Sequence, residues 1–126
     1  MRAIDTSVLV RLLVRDDEAQ WAAARTLVAR GPVFVGVTVM LETEWVLRSA
    51  YGFTPAEISG ALRSLIGLPS VTAEDAAAVA AALDGLDAGL DFADALHLAR
   101  STDCADFVTF DRRLARKATA VTLLES

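Results

Sequence analysis

Four acidic residues with mostly apolar neighbours carry side chains suited to metal-assisted hydrolysis. They are Asp5, Glu42, Asp94 and Asp111. Asp5 follows residues 2–4, which we predict to be the first strand, and Asp111 follows the apolar run 107–110. Because open α/β sheets bind ligands at the carboxyl ends of their strands, both carboxylates lie where a site is expected. The alternative, that each one only caps the helix after it, stays open here because Asp is a preferred cap.

The third acid belongs to a pair at helical spacing. Asp91 is predicted to cap a helix over residues 92–101, and Asp94 lies in its first turn. Asp94 shares a helix face with His97 and Leu98, which indicates that its side chain points inward. Capping pairs of this kind are common, so the pair alone is weak evidence for a site.

The fourth acid has a close neighbour from which it must be told apart. Glu42 and Glu44 lie on one predicted helix, and their side chains point about 200° apart, so only one can face a given site. Glu42 has Val39 and Trp45 at helical spacing, and we assign it to the interior. Glu44 precedes Arg48 by four residues, the favourable order for an ion pair, and we assign it to the surface.

Four converging carboxylates would repel one another. At about 4 Å and an effective dielectric constant near 20, each pair of like charges costs about 4 kcal/mol. Such a cluster needs protons or a cation, and ligands that are all oxygen select Mg²⁺ or Mn²⁺ over Zn²⁺. A hard ion with open water positions can activate water and position a phosphodiester, so the pattern points to phosphoryl chemistry.

The elements that must position these acids alternate between strands and helices. This order favours a parallel sheet covered by helices on both faces, and 126 residues predict a single domain over residues 1–126. The predicted strands are residues 2–4, 33–37, 107–110 and 120–124, with a short extended piece at 70–71.

Several helix boundaries can be predicted from capping residues. Thr6 or Ser7 is expected to cap the first helix, and Thr38 the helix that carries Glu42. Residues Thr54–Glu57 have the pattern of a capping box, with Pro at the first position of the helix that follows. Residues 72–75 are expected to begin an alanine-rich helix that runs to about Leu86. Gly residues at 85 and 89 then indicate a loop before Asp91.

Composition excludes some classes of function. The net charge is −5, unlike that of a protein that binds nucleic acid through a broad basic surface. A single cysteine, Cys104, excludes an internal disulfide and a multi-cysteine zinc site, and we interpret it as a small buried hydrophobe. His97, the one histidine, is interpreted as packing at the core edge. No apolar run reaches about 18 residues and no leader-like segment precedes the first strand, so we expect a cytoplasmic protein with no membrane partner.

One local basic run could offset the acids. It consists of Arg112, Arg113, Arg116 and Lys117, directly after Asp111. Phosphate contacts from such a run would position RNA without reading its sequence. An ordinary solvated basic turn explains the same residues equally well.

Taken together, four segments resemble the acidic motifs of PIN domains, and most closely those of VapC-type toxins, the ribonuclease halves of bacterial toxin–antitoxin pairs. The segments are Ile4–Ser7, Val39–Arg48, Asp91–Ala95 and Val108–Arg112. The resemblance covers nearly the whole chain. Each motif alone is weak, but four in this order and at these spacings are specific together.

The resemblance implies a PIN-like α/β/α sandwich with a central parallel sheet of about five strands. It implies Mg²⁺- or Mn²⁺-dependent hydrolysis of RNA phosphodiester bonds. By position, Asp5, Glu42, Asp94 and Asp111 match the metal-site acids, and Asp91 matches an accompanying acid. Ser7, with Thr6 beside it, matches a small hydroxyl residue that supports the first carboxylate. The resemblance also implies a homodimer and a cognate antitoxin as partners.

Two other functions fit part of the pattern. A phosphatase could use Asp5 as a nucleophile, although a haloacid-dehalogenase-like site would want a second Asp where this chain has Ser7. A non-catalytic PIN-like module would bind RNA or a protein without cutting it. Retention of all four acids argues against that second alternative.

Overall fold

The computed structural model describes all residues from Met1 to Ser126. Five strands and seven helices follow one another along the chain, in a helix-rich α/β arrangement. In chain order they are β1 Arg2–Ala3, α1 Thr6–Leu13, α2 Glu18–Arg30, β2 Val33–Val35, α3 Val37–Ser49, α4 Pro55–Ile66, β3 Val71–Ala73, α5 Ala76–Asp87, α6 Phe92–Ala99, β4 Phe107–Thr109, α7 Arg112–Lys117 and β5 Val121–Leu123. The chain divides into two compact units, Met1–Ala76 and Ala77–Ser126.

The first unit is built on a three-stranded parallel sheet in the order β1-β2-β3. Arg2 pairs with Val33, and Val33 pairs with Val71. Because the strands are parallel, their carboxyl ends lie at one edge, where Asp5, Gly36 and Glu74 follow them. This edge is the feature of the unit that positions candidate site residues.

Apolar side chains from both the sheet and the helices form the core of the first unit. Val33 and Val35 of β2 are almost fully buried, as expected for a strand covered on both faces. The helices bury their apolar stripes beside them, with the least exposed side chains at Leu9, Met40, Leu47, Ile58 and Leu62. The predicted capping box of α4 is confirmed: Thr54 and Glu57 bond reciprocally to each other's backbone N–H.

A polar network secures the turn between α1 and α2. The guanidinium of Arg11 donates to Asp16 at 2.7 Å, to Gln20 at 2.6 Å and to the Tyr51 hydroxyl at 3.1 Å. The Tyr51 hydroxyl donates in turn to Asp16 at 2.8 Å. The Tyr51 hydrogen bond and the Arg11 charge hold the pKa of Asp16 below its usual range. The turn is therefore fixed by side chains from α1, α2 and the residues after α3.

The second unit contains a two-stranded parallel sheet, in which Phe107 pairs with Val121 and Thr109 with Leu123. Helix α5 buries Val79 and Leu83, and α6 buries Phe92. The predicted parallel pairing is confirmed. The predicted central sheet of about five strands is matched only loosely, because the five strands form one sheet of three and another of two.

Three predicted helix boundaries are wrong. The first helix has Asp5 at its N-cap, with Thr6 and Ser7 inside it, and α3 has Gly36 at its N-cap in place of Thr38. Residues 71–73 form β3, so the alanine-rich helix starts later than expected, at Ala76.

The predicted loop after the alanine-rich helix also starts too early. Gly85 lies inside α5, where a Cβ atom would stand 2.7 Å from the Cβ of Ala95. This glycine permits a close approach of α5 and α6, so at this position it supports the helix. No helix is both long and apolar enough to span a membrane.

Candidate functional site

Asp5 occupies the N-cap position of α1 but does not use its side chain as a cap. Its backbone is extended, and its carbonyl oxygen accepts the first helical hydrogen bonds from Val8 and Leu9, both at 3.1 Å. Its carboxylate makes no capping hydrogen bond. Oδ2 instead accepts a hydrogen bond from the Ser7 hydroxyl at 3.1 Å, and the side chain is exposed. The carboxylate is therefore available to a ligand at the carboxyl end of β1.

Glu42 is tied to the same helix terminus by Thr6. The Thr6 hydroxyl donates to Oε1 of Glu42 at 2.5 Å, across 36 positions of the sequence. Thr6 is 7% exposed, whereas Glu42 is exposed on the surface of α3. Asp5 and Glu42 are thus held by two consecutive residues, Thr6 and Ser7, of a single helical turn.

The assignment of Glu42 to the interior and Glu44 to the surface is wrong. Glu44 is 2% exposed, whereas Glu42 is exposed. Helix α3 carries apolar residues on more than one face, and its buried stripe runs through Met40, Glu44 and Leu47. The predicted ion pair is present: Nε of Arg48 donates to Glu44 at 3.0 Å, with the arginine about half exposed. Glu44 is therefore a buried residue paired with Arg48, and the exposed Glu42 is the one able to reach a ligand.

Glu74 lies at the same edge of the sheet and was not expected there. Its carboxylate accepts a hydrogen bond from the backbone N–H of Val37 at 2.8 Å, so it caps α3 from the end of β3. Its own N–H donates to the carbonyl of Val35 at 2.9 Å. Its position before an alanine-rich stretch made it resemble an ordinary first-turn acid. The sequence signal that could have located Glu74 is a longer strand. If the predicted extended piece at residues 70–71 is continued by two residues, Glu74 directly follows it.

In the second unit, Asp91 and Asp111 do act as caps. The carboxylate of Asp91 accepts from the N–H of Asp94 at 3.2 Å. One oxygen of Asp111 accepts from the N–H groups of Arg113 and Leu114, at 2.9 and 3.1 Å. Both carboxylates are exposed, so each keeps lone pairs for a further ligand.

Asp94 lies in an environment crowded with negative charge. Burial raises the pKa of its carboxyl group, the nearby carboxylates of Asp91 and Asp111 raise it further, and His97 lowers it. Asp94 therefore lies close enough to Asp91 and to Asp111 for each of these charges to repel its own. That repulsion is the condition under which binding of a cation is favourable.

The basic run has mixed surroundings. Arg112, Arg113 and Arg116 are exposed on α7. Lys117 is also exposed, but its ammonium group donates to the carbonyl of Gly89 at 2.9 Å, which links α7 to the loop before α6. The three arginines are therefore the better candidates for contacts with phosphate.

One further expectation is wrong, because Cys104 is exposed rather than buried. His97 is exposed, and its ring stacks on the half-buried Phe107, with centroids 6.4 Å apart and planes 12° apart.

Oxygen donors that suit a hard divalent ion are present in both units. Asp5 and Glu42 belong to the first unit, and Asp91, Asp94 and Asp111 to the second. No three His, Cys, Asp or Glu side chains form a group that could hold a metal ion in this structure. The chemistry of the donors, all carboxylates, and the repulsion around Asp94 fit Mg²⁺ or Mn²⁺.

Comparison with known proteins adds one finding. A family model described as the PIN domain matches residues 3–120, and so covers all five of these acids. No curated protein matches the chain significantly.

Proposed function

The chain belongs to the PIN domain family, and we propose that it is an endoribonuclease that uses Mg²⁺ or Mn²⁺. The PIN fold is a nuclease fold, and its members are commonly metal-dependent ribonucleases. The observation that carries the proposal is that Asp5 and Asp94 lie at helix starts without capping the helix. Asp5 leaves its helix uncapped and stays available, and Asp94 is held among other acids at a raised pKa. Neither arrangement stabilises the fold, so a ligand is the better explanation.

We propose that the acids required for hydrolysis of RNA phosphodiester bonds are Asp5, Glu42, Asp91, Asp94 and Asp111. A bound divalent ion would supply Lewis acidity and an activated water. The chain's own residues orient these carboxylates: Ser7 restrains Asp5 and Thr6 restrains Glu42. The arginines of α7 would bind phosphates on either side of the cleaved bond.

The test is cleavage of a fluorogenic single-stranded RNA by purified protein in Mn²⁺. Removing one metal-site carboxylate should lower the rate by at least about 100-fold, so Asp5→Asn should be inactive while remaining folded. Asp17→Asn is the matched control, because Asp17 caps α2 and Asn caps as well as Asp. Equal cleavage by wild type and Asp5→Asn would contradict the site.

A second candidate, a PIN-like module that binds RNA without cutting it, is favoured by one observation. No three potential metal ligands form a group that could hold a metal ion. The same assay separates the two functions: retention of labelled RNA by wild-type protein with no cleavage at millimolar Mn²⁺ would select the binding module.

The finer proposal is that the chain is the toxin of a toxin–antitoxin pair and acts in the cytoplasm. The support is the match of its acidic segments to VapC-type toxins. Induction of the wild-type gene should arrest growth, and Asp5→Asn should not. Co-expression of a small protein encoded next to the gene should relieve the arrest, which would identify the antitoxin.

A homodimer is the remaining part of the proposal. The ring of Trp45 is 58% exposed on α3, an unusual position for so large an apolar side chain in a monomer. Sedimentation of wild type and Trp45→Ala should show a dimer and a weakened dimer respectively. A monomeric wild type at micromolar concentration would contradict this part alone.

A further inference from the structure

Thr6 places its hydroxyl in an unusual position for the first turn of a helix. It is 7% exposed, and its Oγ1 is directed away from its own helix toward α3, where it donates to Glu42. First-turn threonines commonly bond to local backbone groups instead. The hydrogen bond of this hydroxyl therefore connects the first turn of α1 to α3.

The acceptor of this hydrogen bond is a side chain that would otherwise be free to rotate. Glu42 is exposed, and an exposed glutamate ordinarily samples many rotamers. A hydroxyl has one proton to donate, and Thr6 gives it to Oε1. The other oxygen, Oε2, and the remaining lone pair of Oε1 stay available. The bond thus reduces the motion of the carboxylate without blocking it.

We propose that Thr6 is a positioning residue that fixes the Glu42 carboxylate for the divalent ion. The inference rests on the proposed function, because it concerns the same metal. Groups that hydrogen-bond a metal-binding carboxylate orient it before the metal arrives, and their removal typically weakens affinity about 10–100-fold.

The same helices offer a matched control. Thr43, next to Glu42 on α3, is fully buried, and its hydroxyl has no hydrogen-bond partner. Thr6→Val and Thr43→Val make the same chemical change at two buried threonines. Only the first removes a hydrogen bond to the proposed site.

The experiment measures Mn²⁺ affinity by titration calorimetry on the purified full chain. Thr6→Val should bind Mn²⁺ at least about 10-fold more weakly than wild type, and Thr6→Ser should restore most of the affinity because it keeps the hydroxyl. Thr43→Val should bind like wild type. Wild-type affinity in Thr6→Val would overturn the inference and leave the proposed function standing. A wild type that binds no Mn²⁺ would overturn both.

If Thr6→Val does not fold, the inference can be tested by NMR on the wild-type protein. In metal-free wild type, the hydroxyl proton of Thr6 should exchange slowly enough to be seen by NMR and should show a nuclear Overhauser effect to the Glu42 side chain. A hydroxyl proton in fast exchange, with no such effect, would overturn the inference.

Discussion

The two units treat the same kind of residue differently. Asp5 in the first unit and Asp111 in the second each follow a strand and stand at the N-cap of a helix. Asp111 caps its helix with two hydrogen bonds, whereas Asp5 makes none and is restrained by Ser7. The same position between a strand and a helix therefore does not fix which hydrogen bonds a carboxylate makes.

The difference extends to the electrostatics of each unit. The first unit restrains its two candidate acids with neutral hydroxyl donors, Thr6 and Ser7. The second unit crowds Asp94 against two other carboxylates, and its pKa is raised. We infer that the first unit restrains its candidate carboxylates before a ligand binds, whereas the second unit carries a local negative potential that favours binding of a cation.

The largest predicted effect concerns the crowded acid. Asp94→Asn should lower Mn²⁺-dependent RNA cleavage by at least about 100-fold, because it removes a ligand charge. The same change should raise the midpoint of thermal unfolding in EDTA by a few degrees, because the repulsion disappears and solvent screening keeps the gain below about 1 kcal/mol. An Asp94→Asn variant that is inactive and also less stable would indicate a structural role for Asp94.

The pH dependence of that gain follows from the raised pKa. An Asp carboxyl has a pKa of about 3.9 in an unfolded chain, and the folded protein binds this proton more tightly. The contribution of the group to stability is therefore full below about pH 3.9 and is lost as the pH rises through the folded-state pKa. The advantage of Asp94→Asn over wild type should be largest at neutral pH and should vanish toward pH 3.9 in thermal scans. An advantage that is constant with pH would show that charge is not its cause.

The next effect tests the capping difference directly. Asp111→Ala should lower the free energy of unfolding by about 1 kcal/mol, because α7 loses its cap. Asp5→Ala should change it by less than about 0.5 kcal/mol, because no capping bond is lost. Urea titrations of both variants without metal measure the two values. Equal destabilisation would remove the distinction between the units.

The last effect has the opposite sign and involves the buried Thr43 hydroxyl, which has no hydrogen-bond partner. Thr43→Val should raise the free energy of unfolding by about 1 kcal/mol, because the cost of burying an unsatisfied hydroxyl is removed at nearly constant volume. Urea unfolding measures the change. A loss of stability would mean that the Thr43 hydroxyl has a hydrogen-bond partner after all, and Thr43→Val would then be a poor control for Thr6→Val.

Much of the fold was predictable from local chemistry. The capping box at Thr54 and Glu57 and the cap at Asp91 each produced a helix start as expected. The alternation of strands and helices gave parallel pairing. These features depend on residues close in sequence, which is why periodicity and capping preferences detect them.

The errors arose where distant residues decide the outcome. Gly85 suggested a loop, but its missing Cβ lets α5 approach Ala95 of α6. Glu44 was placed on the surface because α3 is apolar on several sides and its periodicity does not identify the buried face. The bond between Thr6 and Glu42 spans 36 positions and has no local signal at all. The sequence indicates which acids are candidates for the site, but it does not indicate the contacts that orient them.

The central claim is that the candidate acids of each unit bind a divalent ion. The most direct measurement is the NMR spectrum of the isotope-labelled full chain during a titration with substoichiometric paramagnetic Mn²⁺. We predict that amide signals from the first turn of α1, which follows Asp5, will broaden, and that those from the first turn of α6, which contains Asp94, will broaden as well. Absence of broadening from either turn would contradict the claim for the acids of that unit.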